Sequence, residues 1–339
     1  MYPTRFNYES PKSIAEAIAL LHQGGGEAKV LAGGQSLVPM MRLRFAAPEM
    51  IVDINNIPGL DYLTVDADGT IHIGALCRHS DLEKSSLLTA HQPTMAAAAP
   101  VIADPIVRNR GTLVGSLCHA DPQGDWSSVL MALGGSVVAQ GPHGRRSIPV
   151  ADFVKGPFQN MLAFDEIAIE AIVPAPKGIP NGGYLKLERR VGDFATAGVA
   201  VAVESSQGLI IRAGIGLTGV GGSTINATAA AQSLVGAPLT AGSIAHAADL
   251  AAQAANLVVD GTVKHLCGPT RCKIEKLFAT EHEARPFQKH GQQTEFSGCQ
   301  CDLDAIVVGQ GPAVGIKHPS VEGQSVPGKA ATNDAPPVG

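Results

Sequence analysis

The sequence predicts a mixed α+β protein of two domains and a tail, on three observations. Segments with apolar residues at helical spacing alternate with short apolar runs bounded by turn residues, the pattern of strands. One dense breaker segment, Pro174-Ala175-Pro176-Lys177-Gly178-Ile179-Pro180-Asn181-Gly182-Gly183, divides the chain. From Phe287 onward Gln, Gly, Pro and Ser dominate and periodicity is lost, as in disordered segments. The expected domains are 1–177 and 178–285, with a mostly disordered tail at 286–339.

Helical spacing of Ile14, Ala17, Ile18 and Leu21 predicts a first helix, with Ser13 as N-cap, Glu16 completing a capping box and Gly24-Gly25-Gly26 as the stop. A strand-like run at Val30-Leu31 then meets Gly33-Gly34, and a short helix is expected at 37–43. A strand at 50–54 follows, then a hairpin over 61–73 turning at Asp68-Gly69. Helices are expected at 79–88, 94–103 and 127–133, and the intervening stretch reads as a polar, glycine-rich loop. Strands at 136–139 and 145–149 flank a turn at Gly141–Gly144, a short helix starts at Asp152, and Glu166–Val173 is a strand ended by Pro174. The second domain reads as strands at 197–203 and 209–215, then alanine-rich helices at 223–234 and 241–259.

With 45% apolar residues the chain can bury a sizeable core. A net charge of −5 without a polybasic run argues against nucleic acid as a partner. No apolar stretch is long enough to span a membrane and no signal core begins the chain, so a soluble, cytoplasmic protein is expected. The pairs Cys267/Cys272 and Cys299/Cys301 match neither zinc nor ferredoxin spacings, and no metal site is assigned. Gly214-Ile215-Gly216-Leu217-Thr218-Gly219 has the dinucleotide pattern, but no helix starts at its third glycine and no acidic residue stands at the required distance. Gly323–Ala330 is one residue short of a P-loop and lacks the magnesium-binding hydroxyl, and the sequon at Asn226 carries no meaning inside a cell.

Two stretches carry the candidate site. In Lys29-Val30-Leu31-Ala32-Gly33-Gly34-Gln35-Ser36-Leu37 the paired glycines permit positive φ and close approach of backbone amides to an anion. In the stretch from Ile106 to Asp125, which holds Thr112-Leu113-Val114-Gly115-Ser116, Asp121 and Asp125, hydroxyls and carboxylates crowd beside apolar positions, an arrangement that a ligand with phosphates and hydroxyls would satisfy. By themselves these are also compatible with a tight turn and with a surface loop capped at Asp121.

Together and in this order the two stretches resemble the flavoprotein (medium) subunits of the molybdenum hydroxylases, over about residues 1–280. The residues that carry the resemblance are Ala32-Gly33-Gly34-Gln35-Ser36-Leu37, then Ile106–Gly111 leading into Thr112-Leu113-Val114-Gly115-Ser116, with Ala120-Asp121-Pro122 and Asp125, then Asp165–Ile169 and the Tyr-x-Lys-x-x-Arg-Arg run from Tyr184. Val114 stands where the family commonly has glycine, and its side chain is expected to narrow the approach to the pyrophosphate. Gln35 stands where many members have His.

The resemblance implies a two-subdomain FAD-binding unit of the vanillyl-alcohol-oxidase type, followed by a small α+β domain of a three-stranded sheet and helices. It implies FAD as cofactor, with amides of residues 32–36 and 115–116 and the hydroxyls of Ser36, Thr112 and Ser116 on the pyrophosphate. Asp125 is then expected to accept from a sugar or ribityl hydroxyl, the backbone of Ile167 and Ala168 to meet the ring, and Lys186 to place a positive charge beside it. The implied partners are a large molybdopterin subunit, a small subunit with two 2Fe–2S clusters and an external electron acceptor. Substrate choice falls to the large subunit, for which an N-heterocycle, a methylated purine, carbon monoxide or an aldehyde are the open classes. No catalytic acid, base or nucleophile is required of this chain. Two alternatives stand beside this one: a self-sufficient flavin oxidoreductase with FAD tethered at Cys118 or His119, and a partner subunit without cofactor.

Overall fold

The computed structural model describes residues 2–255, all within one compact unit. The first subdomain comprises β1 (Asn7–Glu9), α1 (Ile14–Gly24), β2 (Ala28–Leu31), α2 (Leu37–Arg42) and β3 (Met50–Asp53). Its strands form a parallel sheet in the order β1-β3-β2. Ser13 caps α1 by accepting from the Glu16 amide, but the Glu16 carboxylate accepts from Lys12 N, so the box closes one residue earlier than expected. Ala17, Ile18 and Leu21 give α1 its buried face.

The second subdomain begins with β4 (Leu63–Val65) and β5 (Ile71–Gly74), then α3 (His79–Glu83), α4 (Ser86–His91), α5 (Pro93–Ala98), α6 (Pro105–Arg108), α7 (Leu113–His119) and α8 (Asp125–Leu133). It continues through β6 (Ser136–Gly141), β7 (Gly144–Pro149), α9 (Val150–Phe153), β8 (Val154–Gly156), β9 (Gln159–Asn160) and β10 (Ile167–Val173). Five of these strands make an antiparallel sheet, β4-β5-β10-β6-β7, and β10 at its centre is buried nearly throughout. The helix expected over 79–88 is broken, because the Ser85 hydroxyl accepts from Leu88 N and starts α4. The helix expected to reach 103 ends at Ala98, beyond which Pro100 leaves only a single 3-10 turn.

The third part carries β11 (Ile179–Leu187), β12 (Ala197–Ser206), β13 (Leu209–Thr218), β14 (Ile225–Asn226), α10 (Thr228–Leu234) and α11 (Ala241–Ala254). Its sheet has four strands, β11-β12-β13-β14, rather than the expected three, because residues 225–226 pair with β13 where helix was expected. The breaker segment is shorter than it reads: Ile179 to Gly183 already pair with β12. Pro180 is tolerated there because β11 is an edge strand. The expected ends of the last helices, the strand at 305–308, Cys267, Cys272, Cys299, Cys301, the Gly323–Ala330 stretch and the tail lie outside the described residues.

The rejected dinucleotide pattern has a packing role. Gly214 and Gly216 lie within β13, on the side that faces α8. A Cβ at Gly214 would sit 1.9 Å from Ala132 O, and one at Gly216 2.1 Å from Ser128 O. Helix backbone therefore lies directly on strand backbone, and all of α8 is buried. No helix among the described residues is long and apolar enough to cross a membrane. Gly216→Ala should destabilise the protein by about 1–3 kcal/mol through overpacking. A thermal midpoint unchanged from wild type would contradict this packing.

Candidate functional site

The first glycine-rich loop separates two tasks. Gly34 has φ +74°, the left-handed region that favours glycine, and there the chain turns from β2 into α2. Gly33 is required by proximity instead: a Cβ there would lie 2.3 Å from Arg110 O and 2.8 Å from Gly111 Cα. The two candidate stretches thus touch backbone to backbone. Residues 31–37 are all half-buried, yet the amides of Gly33, Gly34, Gln35 and Ser36 donate to no protein group among the described residues. Ser36 occupies the N-cap of α2 without capping it, so its hydroxyl is also free. Consecutive unclaimed donors at a concave backbone form an anion site.

A polar brace holds this loop from behind. Asn55 Nδ2 donates to Ala32 O at 2.8 Å, and Asp53 accepts from Asn55 N at 2.9 Å. Arg78 donates through Nη2 to Asn55 Oδ1 and through Nη1 to Arg110 O, both at 2.5 Å. Tyr8 closes the chain by donating to Asp53 Oδ2 at 2.6 Å.

The second stretch is not the expected open loop. Thr112 is the N-cap of α7, and its Oγ1 accepts from Gly115 N at 3.1 Å. Ser116 N donates to Thr112 O at 3.0 Å. The amides of 115 and 116, both assigned to a pyrophosphate, are therefore engaged within the helix, while the Thr112 hydroxyl accepts there and keeps its own proton to donate. The Val114 amide has no protein acceptor among the described residues. The Val114 side chain is buried with Leu113 and Leu117 in the core, beside the cleft. Asp121 lies outside the cleft lining; its Oδ1 accepts from Gln123 N at 2.9 Å and shapes the turn before α8.

At the far end, Asp125 opens α8 and is buried. It accepts a short hydrogen bond from Tyr184 OH, and its Oδ2 lies 3.3 Å from Lys186 Nζ. Burial pushes its carboxyl up, opposed by the nearby ammonium and by the Tyr184 hydrogen bond. Each Asp125 oxygen thus already has one protein donor, so a ligand hydroxyl would share an oxygen with Tyr184 or Lys186. Lys186 is not a solvated edge-strand lysine: its side chain is only 3% exposed, and Nζ donates to Val101 O at 2.9 Å. Glu188 Oε2 lies 3.3 Å from the same Nζ, though it makes no directed hydrogen bond. Lys186 is thus flanked by two carboxyl groups, Asp125 and Glu188.

These parts line one cleft of about 700 Å³, which takes in every expected site residue except Asp121. Lys29, Val30, Leu31, Ala32, Gln35 and Leu37 line it with the glycines, as do Thr112, Val114, Gly115 and Ser116 of the second stretch and Ile167, Ala168, Asp125 and Lys186. A second concavity of about 610 Å³ lies on the outer side of the same loop, beside Arg42, Arg110, Asp53 and Asn55. The size and the unclaimed amides fit an elongated anionic ligand with a flat end.

Sequence reasoning missed Asn55, Arg78, His79, Trp126 and Tyr184. Only Tyr184 had a local signal: it lies two residues from Lys186 on a strand and so shares its face. Buried His79 lines the cleft, and its Nδ1 accepts from Trp126 Nε1 at 3.0 Å, a contact across 47 positions of sequence.

Residues 4–176 match the FAD-binding domain of molybdopterin dehydrogenases, and residues 183–265 match the C-terminal domain of carbon monoxide dehydrogenase flavoproteins. The chain belongs to this family of FAD-binding medium subunits and is an oxidoreductase component. It is 41% identical to the carbon monoxide dehydrogenase medium chain of Hydrogenophaga pseudoflava, over 74% of this chain and 87% of that one. It is 37% identical to the 6-hydroxypseudooxynicotine dehydrogenase complex subunit alpha of Paenarthrobacter nicotinovorans, over 84% and 98% of the two chains. Among solved structures, a carbon monoxide dehydrogenase from Hydrogenophaga pseudoflava that lacks the Mo-pyranopterin moiety superposes with a TM-score of 0.78 at 40% identity, covering 82% of this chain and 98% of that one.

Two expectations follow. Gly33→Ala should drive the loops apart at Arg110 and weaken FAD retention; an FAD dissociation constant equal to wild type by fluorescence titration would refute the contact. Burial, with Arg108 and Arg78 adding to it, pushes His79 down to about 4. Its folded value lies below the free one near 6.5, so protonation favours unfolding, and stability is lost as pH falls from about 6.5 towards 4. The loss amounts to about 3 kcal/mol by linkage. Urea midpoints between pH 7 and pH 4 should fall less steeply in His79→Gln than in wild type.

Proposed function

We propose that the chain is the FAD-carrying electron relay of a heterotrimeric molybdenum hydroxylase. The observation that carries this reading is the row of unclaimed amides from Gly33 to Ser36, at one end of a cleft whose other end is Ile167, Ala168 and Lys186. Bound FAD would accept electrons from iron–sulfur clusters and release them to an external acceptor. The chain's residues bind and orient it. The amides of 33–36, the Val114 amide and the hydroxyls of Ser36 and Ser116 hold the pyrophosphate. Ile167 and Ala168 support the ring, and Asp125 fixes Lys186 beside it.

The partners in this reading are a large molybdopterin subunit and a small subunit with two 2Fe–2S clusters. Substrate choice belongs to the large subunit. Relatives of this chain are named for dehydrogenases of molecules as different as carbon monoxide and 6-hydroxypseudooxynicotine.

Acid precipitation of the purified native complex should release yellow FAD to the supernatant, one per chain. Colour left in the pellet would support a covalent tether at Cys118 or His119, and a colourless complex a partner without cofactor. Gly34→Val should abolish FAD uptake while the far-ultraviolet circular dichroism stays at the wild-type level. Stoichiometric FAD in that variant would reduce the loop to a simple turn. Affinity purification of the tagged chain from its host should bring down both partner subunits; recovery of the chain alone would sink the relay.

A further inference from the structure

His79 opens α3 on the cleft wall next to Gly111 and Thr112. It is 5% exposed, and its backbone amide donates to Gly111 O at 2.9 Å. The ring lies so close to Gly111 that a Cβ there would meet Cδ2 at 2.8 Å and Nε2 at 2.9 Å. The opposite edge is fixed: Trp126 Nε1 donates to Nδ1 at 3.0 Å, and Trp126 itself is fully buried. An indole N–H can only donate, so Nδ1 must be the acceptor, and in the neutral ring the proton sits on Nε2. That Nε2–H has no partner among the described residues, in a ring that lines the cleft.

We infer that His79 is an uncharged hydrogen-bond donor to the bound cofactor, with Nε2–H held towards an oxygen of its phosphate–ribityl part by the buried indole of Trp126. This rests on the FAD reading above. It adds a donor of a different kind from the backbone amides: a side chain whose tautomer is set from the core. The charged groups around the ring are Arg78, beside it in sequence, and Arg108 of α6, which is paired with Glu83 of α3. Both cations disfavour a second proton, which would break the Trp126 contact.

The test is FAD titration of the flavin-free full-length chain, with fluorescence as readout. Wild type should bind; His79→Leu should bind roughly five- to tenfold more weakly, the effect of one lost hydrogen bond. His79→Gln, whose amide nitrogen reaches the position of Nε2, should stay within about twofold of wild type. Equal affinity of wild type and His79→Leu overturns the inference but leaves the FAD reading standing. Equal weakening of the Leu and Gln variants makes His79 a packing residue and also overturns it. A wild-type chain that takes up no FAD removes both readings. A spectroscopic arm holds even where His79→Leu fails to fold. Nitrogen NMR of 15N-histidine-labelled wild type should show His79 protonated at Nε2 only, with that signal moving on FAD addition. A proton on Nδ1, or an Nε2 signal unmoved by FAD, refutes the proposal.

Discussion

The site depends on the guanidinium of Arg78. It joins Asn55, which holds the carbonyl of Ala32, to the carbonyl of Arg110, and so joins the first glycine-rich loop to the second. Backbone carbonyls are pulled outward into this brace, leaving amides on the opposite side for a ligand. Partial burial of a charge is costly without such partners, and here a single side chain satisfies acceptors from two separate elements. The Tyr8–Asp53 contact extends the brace to the first strand, so the glycine-rich loop is tied to the parallel sheet behind it. A cleft built this way is preorganised: its donors are positioned by the fold before any cofactor arrives.

How far the site was legible in sequence follows from the range of each interaction. The Gly33-Gly34 turn could be read because a positive φ and a tight approach are local requirements. The helix after Thr112 was missed because glycines and hydroxyls read as loop, while the capping geometry that makes them helical depends on Thr112 and Gly115 together. That Asp125 meets both Tyr184 and Lys186 could not be read, since nothing local links residue 125 to residues 184 and 186. The brace and the His79–Trp126 pair were invisible for a simpler reason. Their members are spread from residue 8 to residue 126, and no periodicity or motif links them.

The surroundings of Lys186 have a different electrostatic character from the one a lone lysine suggests. Lys186 lies between Asp125 and Glu188 and also donates to Val101 O. Its ammonium is thereby held in one place instead of sweeping a volume, and its field is largely offset. Any influence on a flavin would come through a directed contact from this fixed position, not through bulk positive potential. Tyr184 adds to the rigidity by occupying the other oxygen of Asp125.

The contact of Gly214 and Gly216 with α8 bears on how such a chain can be divided. Although two families of sequence model meet near residue 180, α8 is an inner helix for both. Its first residue orients the lysine of the later part, and its last turns rest on a strand of that part. Cutting at the sequence boundary would strip this helix of its floor and expose a bare backbone face to water. The two regions are modules of inheritance but one unit of folding, and a chimera that exchanged one region for that of a relative would need to carry the facing glycines with it.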